Sequence, residues 1–338
     1  MVKPGGIGDI VMCLPAVEAY RVRWPGTHVT WVADERAVEF VALSGCADRI
    51  VPVALSRIRE GGFFAQVSEV LRCWVRLRGA RFDEAFVPFR DWRYRLLVAV
   101  ARIDAYSGAR AGRGRAPFVP GRHHTDEFWR FLQHEEGPDV ARLPASRLNV
   151  ENTPAVDALL GGGTAPGFVV LCVGGERNRD GLGALRRWPT SMYAALARRF
   201  IESGRPVVVT GTAADATERG AFEGTGVRDL IGRVSLREFC EVLQRSRAVV
   251  AHDGGALHLA GLMGAPTLGL FGPTDPAERA PRKMQARVLW GGETLSCRPC
   301  YDGRTYARCS HNACMHDLSV DLVYAAACEL LGAVEDTR

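Results

Sequence analysis

The second half of this chain alternates short apolar runs with helical ones, and that alternation limits the fold more than any other feature. Residues 168–173 read as a buried strand ending in glycines, followed by a helix over 191–203. A strand at 206–210, a helix at 236–245, a strand at 248–251, a helix at 256–263 and a strand at 267–271 follow. Short apolar strands separated by helices imply parallel sheets covered on both faces. The first half carries a fainter version, with strands expected over 29–32, 49–53 and 85–87 and helical periodicity over 16–24 and 64–77. The stretch 143–167 is rich in Pro, Gly, Ala and Thr and reads as the connection between two domains, 1–150 and 151–338. The expected fold class is therefore α/β: two Rossmann-like, doubly wound domains facing a cleft at the carboxyl ends of their strands.

The chemistry concentrates where strands end. At 249–258 the run Val-Val-Ala-His-Asp-Gly-Gly-Ala-Leu-His places a glycine turn between a strand and a helix. Free backbone N–H groups and the helix dipole make such a turn a seat for phosphate. His258 falls on the first turns of that helix, within reach of a bound anion, and the combination points to a nucleotide or nucleotide-sugar site. A second glycine turn, Gly5-Gly6-Ile7-Gly8, opens the chain with Asp9 at its mouth. The spacing is not that of a dinucleotide fingerprint, which argues against a nicotinamide-dependent oxidoreductase. Asp9 has two readings, a carboxylate facing the cleft or a helix N-cap. The third site runs from Gly174-Gly175 to Arg186-Arg187-Trp188-Pro189. Its arginines either offer planar forks to a diphosphate or form a solvated pair before a helix.

Composition excludes several classes. The 338 residues are 47% hydrophobic and 24% charged, ordinary values for a globular protein long enough for two domains. No apolar run approaches the ~20 residues of a membrane span. The N-terminus does not read as a signal peptide, so a cytoplasmic enzyme is expected. The net charge of +5 comes from basic residues among which only Lys3 and Lys283 are lysine. The arginines are scattered rather than striped along one face, so nucleic acid is not an expected partner.

Taken together, these motifs resemble the heptosyltransferases of lipopolysaccharide assembly, glycosyltransferase family 9. The resemblance covers nearly the whole length. It rests on Lys3-Pro4-Gly5-Gly6-Ile7-Gly8-Asp9 with Leu14-Pro15-Ala16, on Arg187-Trp188-Pro189, and on Leu230-Ile231-Gly232 with Ser235-Leu236. Its strongest part is Asp253-x-Gly255-x-x-His258 continuing to Leu270-Phe271-Gly272-Pro273-Thr274. The resemblance implies the GT-B fold, an ADP-heptose donor in the C-terminal domain, and an acceptor glycan, usually a lipopolysaccharide core, held by the N-terminal domain. The arginine-dominated composition, which fits high-GC bacteria, makes a sugar-containing secondary metabolite the alternative acceptor. It also implies inversion at the anomeric carbon with no catalytic metal. By similarity Asp9 is the general base, with Gly5, Gly6 and Gly8 in the acceptor-side loop. Arg186 or Arg187, the N–H groups around Gly254 and Gly255, and His258 stabilise the leaving diphosphate, while Asp253 orients this loop or binds the sugar. Thr210 and Gly211 end the strand beyond which a ribose-binding acid belongs, with Asp215 and Glu218 as candidates. Two positions depart from the family pattern: Arg186 stands where lysine is usual, and Gly254 where a hydroxyl residue is usual. The first strand also looks short, with two residues before Lys3, so that it is clipped or begins upstream. A hexose donor and an inactive nucleotide-sugar-binding protein are the alternative readings.

Ten cysteines remain to be placed. Cys13, Cys46, Cys73, Cys172, Cys240 and Cys328 stand in apolar surroundings and read as buried small hydrophobes. Cys297, Cys300, Cys309 and Cys314 cluster at a spacing that suits one structural zinc or iron, with His311 or His316 as a substitute ligand. Reduced thiols and disulfides are the other readings. The segment Gly108 to Arg122, with Arg110, Arg113 and Arg115, reads as a solvated loop or as one receiving the acceptor. His123, His124 and Trp92 are expected to be structural, Trp92 by packing a helix.

Overall fold

The computed structural model describes residues 1–108, 118–133, 143, 145–161, 167–175, 182–282, 285–301 and 306–335. Arg110, Arg113 and Arg115 lie outside the described residues. The chain divides into two compact units, Met1–Pro144 and Ala145–Arg338.

The first unit runs α1 (Ile7–Arg23), β1 (Thr30–Asp34), α2 (Val38–Ser44), β2 (Arg49–Val53), α3 (Leu55–Glu60), α4 (Phe63–Leu77), β3 (Arg81–Val87), α5 (Trp92–Leu97), β4 (Arg102–Gly108) and α6 (His124–Leu132). Strand β1 pairs with β2 and β3 with β4, both in parallel. Residues 1–4 bridge the two pairs. Val2 N–H donates to Phe86 O at 2.8 Å on one side, and Val32 N–H donates to Met1 O at 2.9 Å on the other. The first strand is thus as short as the sequence implies, a lone Val2–Val32 bridge. It still lies centrally, since Val2, Val32, Val51 and Val87 share one buried cluster with Cys73, Leu77 and Leu97. Helix α1 starts earlier than its periodicity suggests, because Gly6 at φ 78° turns the chain directly from residues 1–4 into the helix. Pro15 stands inside it. The buried run Met12–Val17 anchors both flanks of the proline, which offsets the missing helical hydrogen bond.

The second unit runs α7 (Pro154–Leu160), β5 (Val169–Cys172), α8 (Thr190–Glu202), β6 (Val207–Thr210), β7 (Arg228–Asp229), α9 (Leu236–Arg245), β8 (Ala248–His252), α10 (Gly255–Leu262), β9 (Thr267–Phe271), α11 (Pro276–Arg279), β10 (Ala286–Trp290), α12 (Ala313–His316) and α13 (Val320–Glu335). Its sheet is parallel throughout in the order β10-β9-β8-β5-β6-β7. The strand order reverses direction at β5, the topological switch point at which such sheets bind ligands. Strands β5, β6, β8 and β9 are buried at every position, as a strand covered on both faces must be. Helices α8 and α13 supply Tyr193, Ala197, Phe200, Val323, Ala327 and Leu331 to the core of this unit. Helix α9 packs against α7 and α10. A capping box at Ser235 and Glu238 starts α9.

Trp188 is 1% exposed. Its indole N–H donates to Leu318 O at 2.9 Å, and its ring meets Tyr193 edge-on at 4.8 Å. The tryptophan of the Arg-Trp-Pro motif is therefore a core residue that ties the start of α8 to the C-terminal segment. Trp92 does the opposite of what was expected and is 59% exposed at the start of α5. Trp188→Ala is expected to lower unfolding stability by about 3–5 kcal/mol through the cavity and the lost indole hydrogen bond. Denaturant unfolding of the two proteins measures it.

Candidate functional site

Four strand ends of the second unit gather its polar residues. Strand β8 ends at His252, Asp253 follows, and the extended Gly254 leads into α10 at Gly255. Asp253 is 3% exposed. Its Oδ2 accepts from the Thr274 hydroxyl at 2.8 Å and lies 3.6 Å from Arg186. Its Oδ1 lies 3.8 Å from His258 Nε2 and accepts no hydrogen bond among the described residues. Burial alone would raise this carboxyl, but Arg186, Arg279 and His258, with the Thr274 hydrogen bond, outweigh it and hold its pKa at about 2. Asp253, Arg186 and His258 thus meet beside the N-terminus of an eight-residue helix. They place a fixed anion next to two groups able to face a second one.

The two arginines separate. Arg186 belongs to Asp253. Arg187 is bound into the scaffold: it reaches Asp215 Oδ1 at 2.6 Å and Val173 O at 3.0 Å, and lies 3.9 Å from Glu218. Asp215 also accepts from Thr212 N–H and Oγ1 in a capping box that starts a short 3-10 stretch. Those bonds, against the opposing effect of burial, keep its carboxyl below the usual range. Of the two candidate ribose acids, Asp215 is buried and bound into local structure, while Glu218 accepts from the Thr190 hydroxyl at 2.7 Å and keeps a quarter of its side chain exposed. Thr210 is buried with its hydroxyl toward Cys172 Sγ at 3.5 Å, and Gly211 packs against Asp215. The Thr212-x-x-Asp215 spacing was a legible capping signal.

His252 was not singled out from sequence. Its backbone N–H donates to the Tyr193 hydroxyl at 3.2 Å, and its Nδ1 lies 3.1 Å from the same oxygen. Where the phenol donates to Nδ1, the ring hydrogen is on Nε2. That nitrogen faces the glycine turn after β5 so closely that a Cβ on Gly175 would stand 2.7 Å from it. Burial, with Arg187 and Arg186 adding to it, lowers the imidazole to about 3, so it is neutral. The only sequence signal was a polar residue closing an otherwise apolar strand.

In the first unit Asp9 sits on the first turn of α1 but does not cap it: Gly6 is the N-cap, with no side-chain capping bond. Instead Asp9 Oδ2 pairs at 3.2 Å with Lys3 Nζ, whose side chain is 1% exposed while that of Asp9 is 34% exposed. Lys3 also donates to Gly5 O and lies 4.6 Å over the Phe89 ring. The glycines allow this closeness. A Cβ on Gly6 would meet Asp9 Oδ2 at 3.0 Å, and one on Gly5 would strike Leu55 at 2.5 Å. Gly8 lies within α1. His123 caps α6 through Nδ1, and His124 packs edge-on against Phe118.

The expected metal cage is not assembled. Among the described residues no three His, Cys, Asp or Glu side chains come together as ligands. Cys297 and Cys309 are exposed, and Cys300 and Cys314 are half-buried. Asn312 stands between two of the four, donating its N–H to Cys309 Sγ at 3.2 Å and accepting from Cys314 Sγ at 3.8 Å. The thiols do feel one another: burial first, and then the neighbouring thiols, push Cys314 to about 11. Of the six other cysteines five are buried and Cys328 is half-buried.

Comparisons with known proteins agree with one another. The family described as Glycosyltransferase family 9 (heptosyltransferase) matches residues 153–311. The lipooligosaccharide heptosyltransferase 2 of Haemophilus influenzae is 31% identical over 340 residues, covering 88% of this chain and 90% of that protein. The lipopolysaccharide heptosyltransferase 1 of Pseudomonas aeruginosa is 29% identical, covering 89% and 85%. Among solved structures, the E. coli ADP-heptose lps heptosyltransferase II superposes with a TM-score of 0.72 at 18% identity, covering 98% of each chain. The fold is thus GT-B, as expected. Among the described residues no helix is long and apolar enough to cross a membrane.

The neutral His252 has a consequence for acid stability. Its folded value of about 3 lies below the ~6.5 of an unfolded histidine, so between those values the unfolded state binds the extra proton. Its contribution is complete above pH ~6.5 and falls toward pH 3 by up to ~1.4 kcal/mol per pH unit. Between pH ~6.5 and ~4.5 the fall of Tm with pH is expected to be steeper for the native protein than for His252→Asn, a comparison in which the carboxylates that titrate over the same range cancel. Equal slopes would contradict this.

Proposed function

The chain belongs to glycosyltransferase family 9, the heptosyltransferases, and from that premise we propose that it moves heptose from ADP-heptose to a sugar hydroxyl by one in-line displacement, without a catalytic metal. The observation that carries the donor half is the buried Arg186–Asp253–His258 cluster at the head of α10. In this reading the pyrophosphate lies on the N–H groups of Gly254 and Gly255, whose helix dipole favours an anion. Arg186 and His258 face the phosphate oxygens as charge develops on the leaving group, the task a metal performs elsewhere. Glu218 is the candidate for the ribose hydroxyls, since part of its side chain is exposed whereas that of Asp215 is fully buried. The donor side is 145–338 and the acceptor side 1–144, and the enzyme works in the cytoplasm.

Asp9 is the base. The acceptor oxygen forms a bond to the anomeric carbon as its proton passes to the Asp9 carboxylate. The bond from that carbon to the β-phosphate oxygen breaks, and the electron pair leaves with ADP, so the configuration inverts. The ion pair to Lys3 and the glycine turn hold the carboxylate in one place, which a base acting on a bound hydroxyl needs. The names of the relatives support a lipopolysaccharide or lipooligosaccharide acceptor.

Two variants test the division of labour. Asp9→Asn is expected to reduce the rate of transfer about 10²–10⁴-fold, the usual worth of a general base, with ADP-heptose affinity unchanged. Arg186→Ala is expected to reduce kcat/KM about 10²-fold or more, the loss seen when a transition-state charge loses one donor. Steady-state transfer assays with calorimetric donor titration read both. Unaltered turnover in Asp9→Asn would remove Asp9 from the mechanism, and a preference for non-adenosine donors would overturn the donor assignment.

A further inference from the structure

Helix α4 has a face that the packing of the first unit leaves uncovered. At ~100° per residue its side chains fall into three sectors. Glu69, Cys73 and Leu77 are buried along one of them. Phe63, Phe64, Val67, Leu71 and Val75 share a second, and all five are exposed, Phe64 at 86% and Val75 at 77%. Arg72 and Arg76 lie in the third, also exposed. The Phe63 and Phe64 rings meet edge-on at 5.7 Å and close one end of the stripe. A lone exposed apolar residue is ordinary, whereas a stripe running nearly the length of a helix marks a surface that is covered in use.

The charge around the stripe says what covers it. The one acid of α4, Glu69, is buried and accepts the Ala54 N–H at 2.9 Å. Over residues 55–79 the exposed charges are Arg57, Arg59, Arg72, Arg76 and Arg78 against a single acid, Glu60. A second copy of this chain is a poor partner, because a two-fold pairing of this face would bring arginine toward arginine. An anionic lipid leaflet matches both parts. Its phosphates meet the arginines while the phenyl and aliphatic side chains enter the boundary between headgroups and acyl chains. The place in the fold agrees. Residues 1–4, β1 and β2 run parallel, so the Asp9 turn and the start of α3 share one end of these strands. Phe63 and Phe64 follow α3 by two glycines. Trp92, 59% exposed, opens α5 just after β3, and its neighbour Arg93 donates to Ile58 O of α3 at 3.0 Å. Exposed tryptophans are common at membrane–water interfaces. We propose that the exposed face of α4 docks the protein peripherally on an anionic phospholipid surface, with Phe63 and Phe64 inserted and the flanking arginines on the phosphates. This docking needs neither donor nor acceptor and stands apart from the transfer chemistry.

Flotation of the full chain with lipid vesicles tests this without any substrate. The native protein is expected to bind vesicles of equal parts phosphatidylcholine and phosphatidylglycerol about tenfold or more tightly than vesicles of phosphatidylcholine alone. Added salt is expected to weaken that binding, since it screens the pull of the leaflet on the arginines. Phe64→Ser is expected to weaken it about tenfold, through the loss of one inserted ring. Phe64→Trp should retain it. Val22→Ser removes a similarly exposed apolar side chain from α1 and should leave it unchanged. Melting temperatures equal to that of the native protein show that the variants are folded, and the lipid and salt comparisons need no variant. No binding to either vesicle, equal binding to both, or full binding by a folded Phe64→Ser would overturn the proposal. A dimer in solution that Phe64→Ser dissolves would also overturn it and assign the face to a second copy of the chain.

Discussion

The pairing of Arg186 with Asp253 is the contact on which the second unit's polar end depends. A carboxylate this deeply buried is costly unless matched by charge and hydrogen bonds, and removing its partners would leave a strongly unfavourable buried ion. Two segments distant in sequence, with Arg186 before α8 and Thr274 and Arg279 after β9, converge to match it alongside His258 of the adjoining α10. Holding one anion therefore aligns three strand ends and the first turn of a helix. Proteins tolerate such an expense where the charge has work to do, and here it keeps cationic and N–H groups turned toward the place assigned to a diphosphate.

The first unit solves a related problem at smaller cost. Lys3 is buried, but its ammonium is surrounded by the Gly5 carbonyl, the Asp9 carboxylate and the Phe89 ring. The lysine that marks the N-terminal motif is therefore paired with Asp9. A similar split runs through the Arg186-Arg187 pair, where one arginine pairs with Asp253 and its neighbour braces Asp215 and the turn after β5. Adjacent residues of one motif can thus hold a site and belong to it, which is why motif membership alone does not assign a role.

The alternation of apolar strands and helices was legible in the second unit because strands buried on both faces leave an uninterrupted signature. Helix α9 was placed to the residue, 236–245, since its capping box and amphipathic period agree. The first unit was harder. Strand β4 is exposed along much of its length and carries little apolar signal, and α1 hides its start behind glycines and contains a proline. The motif residues Asp253, His258 and Arg186 were legible by type and spacing. What spacing could not show was tertiary: that Arg187 turns inward, that Trp92 is exposed, that Tyr193 holds His252, or that Asn312 separates two thiols expected to share a metal. Three of these depend on which partner a side chain finds and one on the lack of packing around an exposed ring, and a pattern of residue types along the chain fixes neither.

A crystal structure of the enzyme soaked with a non-hydrolysable ADP-sugar tests the central claim most directly. The account predicts the β-phosphate within hydrogen-bond distance of the Gly254 or Gly255 N–H and of the Arg186 guanidinium, with Asp253 still bound to Thr274. A diphosphate lodged elsewhere, with Arg186 and Asp253 untouched by the ligand, would contradict it and reduce the cluster to a structural ion pair.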